Sequence, residues 1–317
     1  MIVEPSSRDG IDIDYTFAQV GITEAKVDWG SNCGNCSSTV GLHAIEAGWV
    51  EPTSDVTTVV VLNTNTDQVI VQRVDTPGGK LPERPDAIQT GVPFPGHRVA
   101  LGFEDPAGKS TGALFPTGNV SDEFLVNGRH YRASLVDAGA PCVFLAAADL
   151  HLEDVPHHEW STRMGSQLQV MEQIRREAAV LMQIVGTADA AERAIPKIGV
   201  VGQGSTDGND AQVVMLSMGV PHPAMPITGS VALTYALCTP GTVIHKESAN
   251  QQSIIKIHTP AGLIETSIEE ANGVMVVAVT RTARLLADST LSLPGDLLQK
   301  DGYNESYSPT TSEVQPA

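Results

Sequence analysis

The sequence predicts an α+β protein made of two similar halves, each a mostly antiparallel sheet wrapped around one buried helix. Three observations lead there. β-branched runs alternate with Gly, Pro, Asn and Asp turns along most of the chain, as at 57–63 and 68–74, which read as a hairpin. Aromatics are only 4% of the 317 residues, while there are 29 Gly and 20 Pro, a composition suited to many short strands and turns. A loop of small residues feeds an apolar helix twice, once in each half.

The first such unit is Ser31-Asn32-Cys33-Gly34-Asn35-Cys36-Ser37-Ser38-Thr39-Val40-Gly41, leading into Leu42-His43-Ala44-Ile45-Glu46-Ala47 and stopping at Gly48. This is the order of a tight loop, a helix N-terminus with Asn35, Ser37 or Ser38 as cap, and a C′ glycine. Val40, Ala44 and Ala47 share one stripe and Leu42 and Ile45 another, so the helix is expected to be enclosed. Its first turn would favour an anion. Cys33 sits just ahead of that turn, where the same field favours thiolate. The second unit has the approach His222-Pro223-Ala224-Met225-Pro226-Ile227-Thr228-Gly229-Ser230, an apolar helix over 231–238, a stop at Pro240-Gly241 and a strand over 242–244.

The remaining elements follow in order. Strands are expected at 2–5, 14–20, 25–29 and 98–103, with an irregular Pro- and Gly-rich excursion over 76–95. Turn-rich sequence from Asp105 to Asn119 marks the crossing between halves. The expected organisation is a first domain over 1–115, a second over 116–298 whose last strands return to the first, and a disordered polar tail over 299–317. The second domain has strands at 124–126, 131–137, 141–145, 197–201, 212–216, 253–258, 262–267 and 274–280. It also has the one long amphipathic helix, over 166–185. Leu168, Met171, Ile174, Ala178, Leu181 and Val185 face inward in that helix, and Arg175, Arg176 and Glu177 point elsewhere.

A net charge of −18 argues against nucleic acid, which needs basic surface. It also means that an anionic substrate must be held by local dipoles and a few cations. No run is apolar enough to span a bilayer, and a reducing, cytoplasmic-type compartment is the expectation. Cys33, Cys36, Cys142 and Cys238 are too few and too scattered for a disulfide scaffold.

The motifs Asp14-Tyr15 with Phe17-Ala18-Gln19-Val20, Asn32-Cys33-Gly34-Asn35, Pro106-Ala107-Gly108 with Thr111-Gly112, and Pro116-Thr117-Gly118-Asn119 form an ordered series. Val136-Asp137-Ala138, Met218-Gly219-Val220-Pro221-His222 and Arg281-Thr282-Ala283-Arg284 continue it. In that order they resemble the PrpF-type isomerases, from the first residue to about Leu293. That family includes methylaconitate, methylitaconate and aconitate isomerases and oxalomesaconate tautomerase. The resemblance implies the diaminopimelate epimerase-like fold, with two helix starts facing each other across a cleft for a carboxylate-bearing substrate. It implies no metal and no organic cofactor. It also implies a further segment ahead of Ile2, with an Arg-Gly-Gly-Thr-Ser-Lys-type loop and a lysine, which this sequence lacks; without them a sheet edge is expected to be exposed.

The chemistry implied is proton abstraction beside a carboxylate and return of the proton elsewhere on an allylic system. Cys33 is the expected acid/base group, and Asn32, Gly34, Asn35, Thr117, Gly118, Asn119, His222, Thr228, Gly229 and Ser230 are the expected substrate-binding set. Related racemases use two facing cysteines; here the second position reads Thr228-Gly229-Ser230, better suited to hold a carboxylate. Cys36, Cys142 and Cys238 read as packing residues and His157-His158-Glu159 as a solvated loop; Arg281 and Arg284 are open to a substrate carboxylate or to structural Asp or Glu, with the structural pairing favoured. Two other readings stand beside the isomerase: an inactive carboxylate-binding protein of the same fold, and a thiol-disulfide protein using Cys33 and Cys36. The expected partner is a small carboxylate, with a homodimer left open.

Overall fold

A single sheet runs through both halves of the molecule. The computed structural model describes residues 1–20, 27–29, 33–192, 195–204, 208–246, 254–271, 273–290 and 292. The expected tail over 299–317, Asn32, and residues 25 and 26 of the strand expected over 25–29 lie outside the described residues. Met1 to Arg284 form one body, and the chain from Leu285 is a separate unit.

The first half contains β1 (Ile2–Pro5), β2 (Ile13–Thr16), the short β3 (Gln19–Val20) and β4 (Val27–Asp28), α1 (Gly34–Ser37) and α2 (Val40–Glu46). β5 (Val56–Asn63), β6 (Gln68–Asp75) and β7 (His97–Glu104) complete it. The second half contains β8 (Asp122–Val126), β9 (Arg129–Ala138), β10 (Ala140–Ala146), α3 (Trp160–Arg163) and α4 (Leu168–Leu181). It continues with β11 (Lys197–Gln203), β12 (Ala211–Ser217), β13 (Val220–Pro221), α5 (Ile227–Cys238), β14 (Ile255–Thr259), β15 (Gly262–Ala271) and β16 (Val274–Ala283).

The sheet order is β1-β2-β5-β6-β7-β16-β15-β14-β12-β11-β10-β9-β8, with β13 beside β12 and β3-β4 a separate ribbon. The halves join where β16 pairs antiparallel with β7, Val276 opposite Glu104 through Ala283 opposite His97. Pairing is otherwise antiparallel except for β2-β5, β10-β11 and β12-β14. Period-2 burial explains these strands: in β6, Gln68, Ile70, Gln72 and Val74 are buried while Val69, Val71 and Arg73 are less so. None of the described helices is long and apolar enough to cross a membrane.

α5 is buried on nearly every side, from Ile227 and Gly229 through Leu237. Fully burying Val231, Leu233 and Leu237 contributes about 1.5–3 kcal/mol each. Thr234, fully buried, has its hydroxyl matched by the Ser230 carbonyl at 2.8 Å and Thr266 Oγ1 at 2.8 Å. The helix begins four residues earlier than its apolar run indicates, so Thr228, Gly229 and Ser230 lie in its first turn rather than in an approach loop. Pro226 sets this start, because a proline N-cap needs no N–H inside the helix. Residues 242–244, expected as a strand, are turns; the Thr242 hydroxyl donates to the Ala236 carbonyl at 2.6 Å and folds the segment back on α5.

The first helix departs more from expectation: it is two short helices. Ser38 and Thr39 hydroxyls donate to the carbonyls of Asn35 (2.7 Å) and Cys36 (2.9 Å), in competition with the backbone ladder. Gln72 then enters the break. Its Nε2 donates to the Ser37 carbonyl at 2.8 Å, and its Oε1 accepts from the Gly41 N–H at 2.9 Å. A side chain inserted in the i→i−4 ladder is a standard cause of a kink. Ala47 is exposed rather than on a buried stripe; Val40, Gly41, Leu42, Ala44 and Ile45 are the buried residues of α2.

α4 packs Met171, Ile174 and Ala178 into a second apolar cluster with Trp160 and Met164. Arg175 does not point away as expected. It is 3% exposed, bonded to Glu172 at 2.8 and 2.9 Å and to the Glu192 carbonyl at 2.7 Å, while Leu181 is exposed. His157, expected in a solvated loop, is also buried, with its Nε2 3.1 Å from the Val213 carbonyl oxygen.

Candidate active site

The starts of α1 and α5 meet. A Cβ added to Gly34 would lie 2.8 Å from Ile227 Cβ and 3.0 Å from its Cγ2, so the first residues of the two helices are in direct backbone-to-side-chain contact. α5 is pressed into this position from the other side by Gly139, between β9 and β10. With φ +70°, Gly139 brings its backbone to where an added Cβ would lie 3.2 Å from the Thr228 carbonyl oxygen.

Beside this junction is a cavity of about 380 Å³, within the roughly 300–1,000 Å³ range of small-molecule sites. Asn35 lines it from the first half, and Pro223, Ala224 and Met225, which lead into α5, line it from the second. Gln89 to Val92 of the 76–95 excursion, Thr259, Ile264 and Arg281 complete the wall. The excursion is held there by the Gln89 side chain, whose Oε1 accepts from the Thr282 N–H at 2.9 Å. That acceptor contact orients the amide and leaves Nε2 as a donor at the cavity.

Cys33 precedes α1 as its N-cap, half-buried and without a side-chain cap bond. Its carbonyl accepts from the Ser37 N–H at 2.9 Å and from the Tyr15 hydroxyl at 3.4 Å. Burial pushes the Tyr15 hydroxyl well above its ordinary pKa, and the two neighbouring thiols Cys36 and Cys33 add to the effect. The Cys36 thiol is pushed up to about 11, first by burial and then by a hydrogen bond and charge repulsion from Cys33. Cys36 therefore keeps its proton at neutral pH. At one turn in length, α1 has little dipole of its own; the twelve-residue α5 has the larger one.

The other expected residues are placed as follows. Thr228 is half-buried and Gly229 buried in the first turn of α5, where no helical carbonyl is available to their N–H groups. Ser230 is fully buried, its hydroxyl donating to the Ile227 carbonyl at 2.6 Å and its N–H to the Pro226 carbonyl at 3.0 Å. His222 precedes the cavity-lining residues, with its Nδ1 accepting from the Ala224 N–H at 3.0 Å. Thr117, Gly118 and Asn119 form a surface turn of their own: Thr117 Oγ1 and Asn119 Nδ2 both bond the Asp122 carboxylate, at 2.8 and 3.0 Å. Of the described members of the expected set only Asn35 lines the cavity; Thr117, Gly118 and Asn119 are not brought to it, and Cys33, Gly34, His222, Thr228, Gly229 and Ser230 are neighbours of its lining residues in the chain rather than part of its wall.

Three residues differ from the sequence reading or are absent from it. For Arg281 and Arg284 the sequence favours structural Asp or Glu over a substrate carboxylate as partner. Among the described residues Arg281 has no carboxylate within 4.0 Å, and Arg284 lies 5.8 Å above the centre of the Phe94 ring. Gln72, which sets the break between α1 and α2, escaped notice. Its signal was present, a glutamine on the buried, otherwise apolar face of an alternating strand.

Comparison with known proteins gives a consistent answer. The family model described as PrpF protein matches residues 1–294. The 3-methylitaconate isomerase of Eubacterium barkeri is 32% identical over 305 residues, covering 90% of this chain and 80% of its own. The 2-methyl-aconitate isomerase of Cupriavidus necator is 31% identical over 323 residues, covering 93% and 82%. A crystal structure of methylitaconate-delta-isomerase has a TM-score of 0.76 at 28% identity, covering 92% of this chain and 83% of that one. These matches bear out the resemblance read from the motifs, and the diaminopimelate epimerase-like fold that it implied.

Proposed function

The chain belongs to the PrpF family and is an isomerase, and on that premise we propose that it shifts a proton and a double bond within a small unsaturated di- or tricarboxylate of the aconitate, methylaconitate, methylitaconate or oxalomesaconate type. The observation that carries this reading is the contact of Gly34 with Ile227 beside a cavity that Asn35 and Met225 share.

Cys33 is the proposed acid/base group. Its sulfur takes a proton from the carbon next to a carboxylate. The C–H electron pair moves into the allylic system, the double bond shifts, and a proton is returned at the far allylic carbon. Negative charge grows on the carboxylate during this step. The N–H groups of Thr228 and Gly229 are fixed donors that can stabilise it without reorganisation. Cys36, which holds its proton beside Cys33, supports the assignment as a group able to donate a hydrogen bond to the Cys33 sulfur. We assign no metal or organic cofactor to the step. We place the reaction in a reducing, cytoplasmic compartment, where two adjacent thiols stay free.

The test is to incubate the chain with each of the four acids in D₂O and follow double-bond position and deuterium incorporation by NMR. Deuterium at the allylic carbons of at least one acid is expected. Cys33→Ser is expected to lower kcat by about 10²-fold or more, the range for loss of a general acid/base. Full activity in Cys33→Ser would remove the thiol from the mechanism, and no exchange into any of the four would overturn the substrate class.

A further inference from the structure

A cation is buried in the wall of this cavity without a counter-ion among the described residues. Arg281, on β16, is 5% exposed. Among the described residues its one hydrogen bond is from Nη1 to the Thr280 carbonyl at 2.9 Å, and Nε is buried with no partner. Burial lowers its pKa to about 10, so the guanidinium is still charged at neutral pH. The chain has 37 Asp and Glu, yet none of those described pairs with it. Glu265 lines a second cavity, of about 320 Å³, whose wall also includes Arg281, but it stays beyond ion-pair distance.

A buried charge normally has both a counter-ion and a full set of hydrogen bonds, because leaving it unpaired is strongly destabilising. In a protein of net charge −18, an internal cation that no carboxylate among the described residues pairs with is suited to a carboxylate from outside. The guanidinium fork is also the side chain that matches a carboxylate in two parallel bonds.

We propose that Arg281 is the anchor for one carboxylate of the bound acid, the one remote from the reacting carbon, and that it makes the site selective for di- and tricarboxylates over monocarboxylates. This rests on the isomerase reading above and adds the residue that holds the far end of the substrate. Asn35 and the segment leading into α5 take the reacting end, and Arg281, in the wall of the same cavity, takes the other.

The experiment measures binding of tricarballylate, a saturated tricarboxylate that cannot isomerise, to the full chain by calorimetry. Propanoate is the monocarboxylate control, and Arg281→Gln and Arg281→Lys are the variants. The parent is expected to bind tricarballylate and not propanoate. Arg281→Gln is expected to weaken tricarballylate by about 10–100-fold, the factor for losing hydrogen bonds to a charged group. Arg281→Lys is expected to recover part of that loss, because it keeps the charge without the fork. In turnover, KM should rise by the same factor while kcat changes less. Tricarballylate binding unchanged in a folded Arg281→Gln, or no binding to the parent, overturns the anchor. If Arg281→Gln does not fold, Arg281→Lys decides: binding equal to the parent's overturns the bidentate role. Arg281-dependent binding without turnover of any acid would leave the anchor standing and remove the isomerase reading. Turnover indifferent to both substitutions would do the reverse.

Discussion

Gly34 and Ile227 leave no room for a side chain between them: a Cβ on Gly34 would stand 2.8 Å from Ile227 Cβ. Glycine is needed here for the approach of one helix start to another. Gly34→Ala forces the two starts apart and is expected to cost about 1–3 kcal/mol as an overpacking change. It should also lower kcat/KM, because Cys33 and Asn35 flank the displaced residue. Urea denaturation and steady-state kinetics check both. Gly165→Ala, where an added Cβ meets nothing within 4 Å, is the control and should change neither.

Gln72 holds the break between α1 and α2 through the Ser37 carbonyl and the Gly41 N–H. Gln72→Leu leaves both groups buried and unbonded, at about 1–3 kcal/mol each. The stability loss should be read by denaturant titration. Faster amide exchange is expected at Gly41, while the exchange of α5 stays at the global rate.

Asp137 ties down the segment after β7. Its Oδ2 accepts from the Ser110 N–H (2.9 Å), the Thr111 N–H (2.7 Å) and the Thr111 hydroxyl (2.9 Å). Asp137→Ala removes all three acceptor contacts and is expected to release this segment. Trypsin should then cut after Lys109 well before the rest of the chain, with the parent resistant at that bond.

Glu172 is held at about 2, below its ordinary 4.5, by hydrogen bonds from Arg175 and then Arg176, against an opposing effect of burial. A depressed carboxylate stabilises the fold above its unfolded pKa, and the contribution is lost as pH falls. The gap in stability between the parent and Glu172→Gln should therefore be full at pH 6 and shrink between about pH 4.5 and 2. Melting curves across that range measure it; a gap that does not vary with pH would remove the ion cluster as its cause.

Cys36 titrates near 11 rather than 9.0 because burial and the Cys33 thiol favour its protonated form. Site-resolved alkylation at pH 8 should therefore be slow at Cys36, and its rate should climb until about pH 11. The sign of the stability effect follows: the contribution is whole below pH 9 and is lost as pH rises from 9 to 11.

Much of the fold could be read from local pattern. The β-branched alternation of β5 and β6 and the apolar run of α5 each specify a buried face, whatever the partner. The motif series pointed to the family, and Cys33, Gly34 and Asn35 were singled out from one loop. Thr117 to Asn119 illustrate the limit. Their turn is legible, but its distance from the Asn35 cavity depends on how the chain crosses between β7 and β8.

The sequence by itself determined the buried faces of strands such as β5 and β6, where most strands run, the negative charge, and that small residues lead into each inner helix. Those features depend on side-chain period and on backbone preferences within a few residues. Tertiary structure alone decided that the first helix is broken, because the glutamine in the break comes from 31 residues away. It alone decided that Gln89 and Thr90 share a cavity with Asn35, and that Arg281 has no carboxylate beside it among the described residues. Each of these depends on the register of strands distant in sequence, above all β16 against β7. No local pattern encodes which far-off side chain will meet a given group.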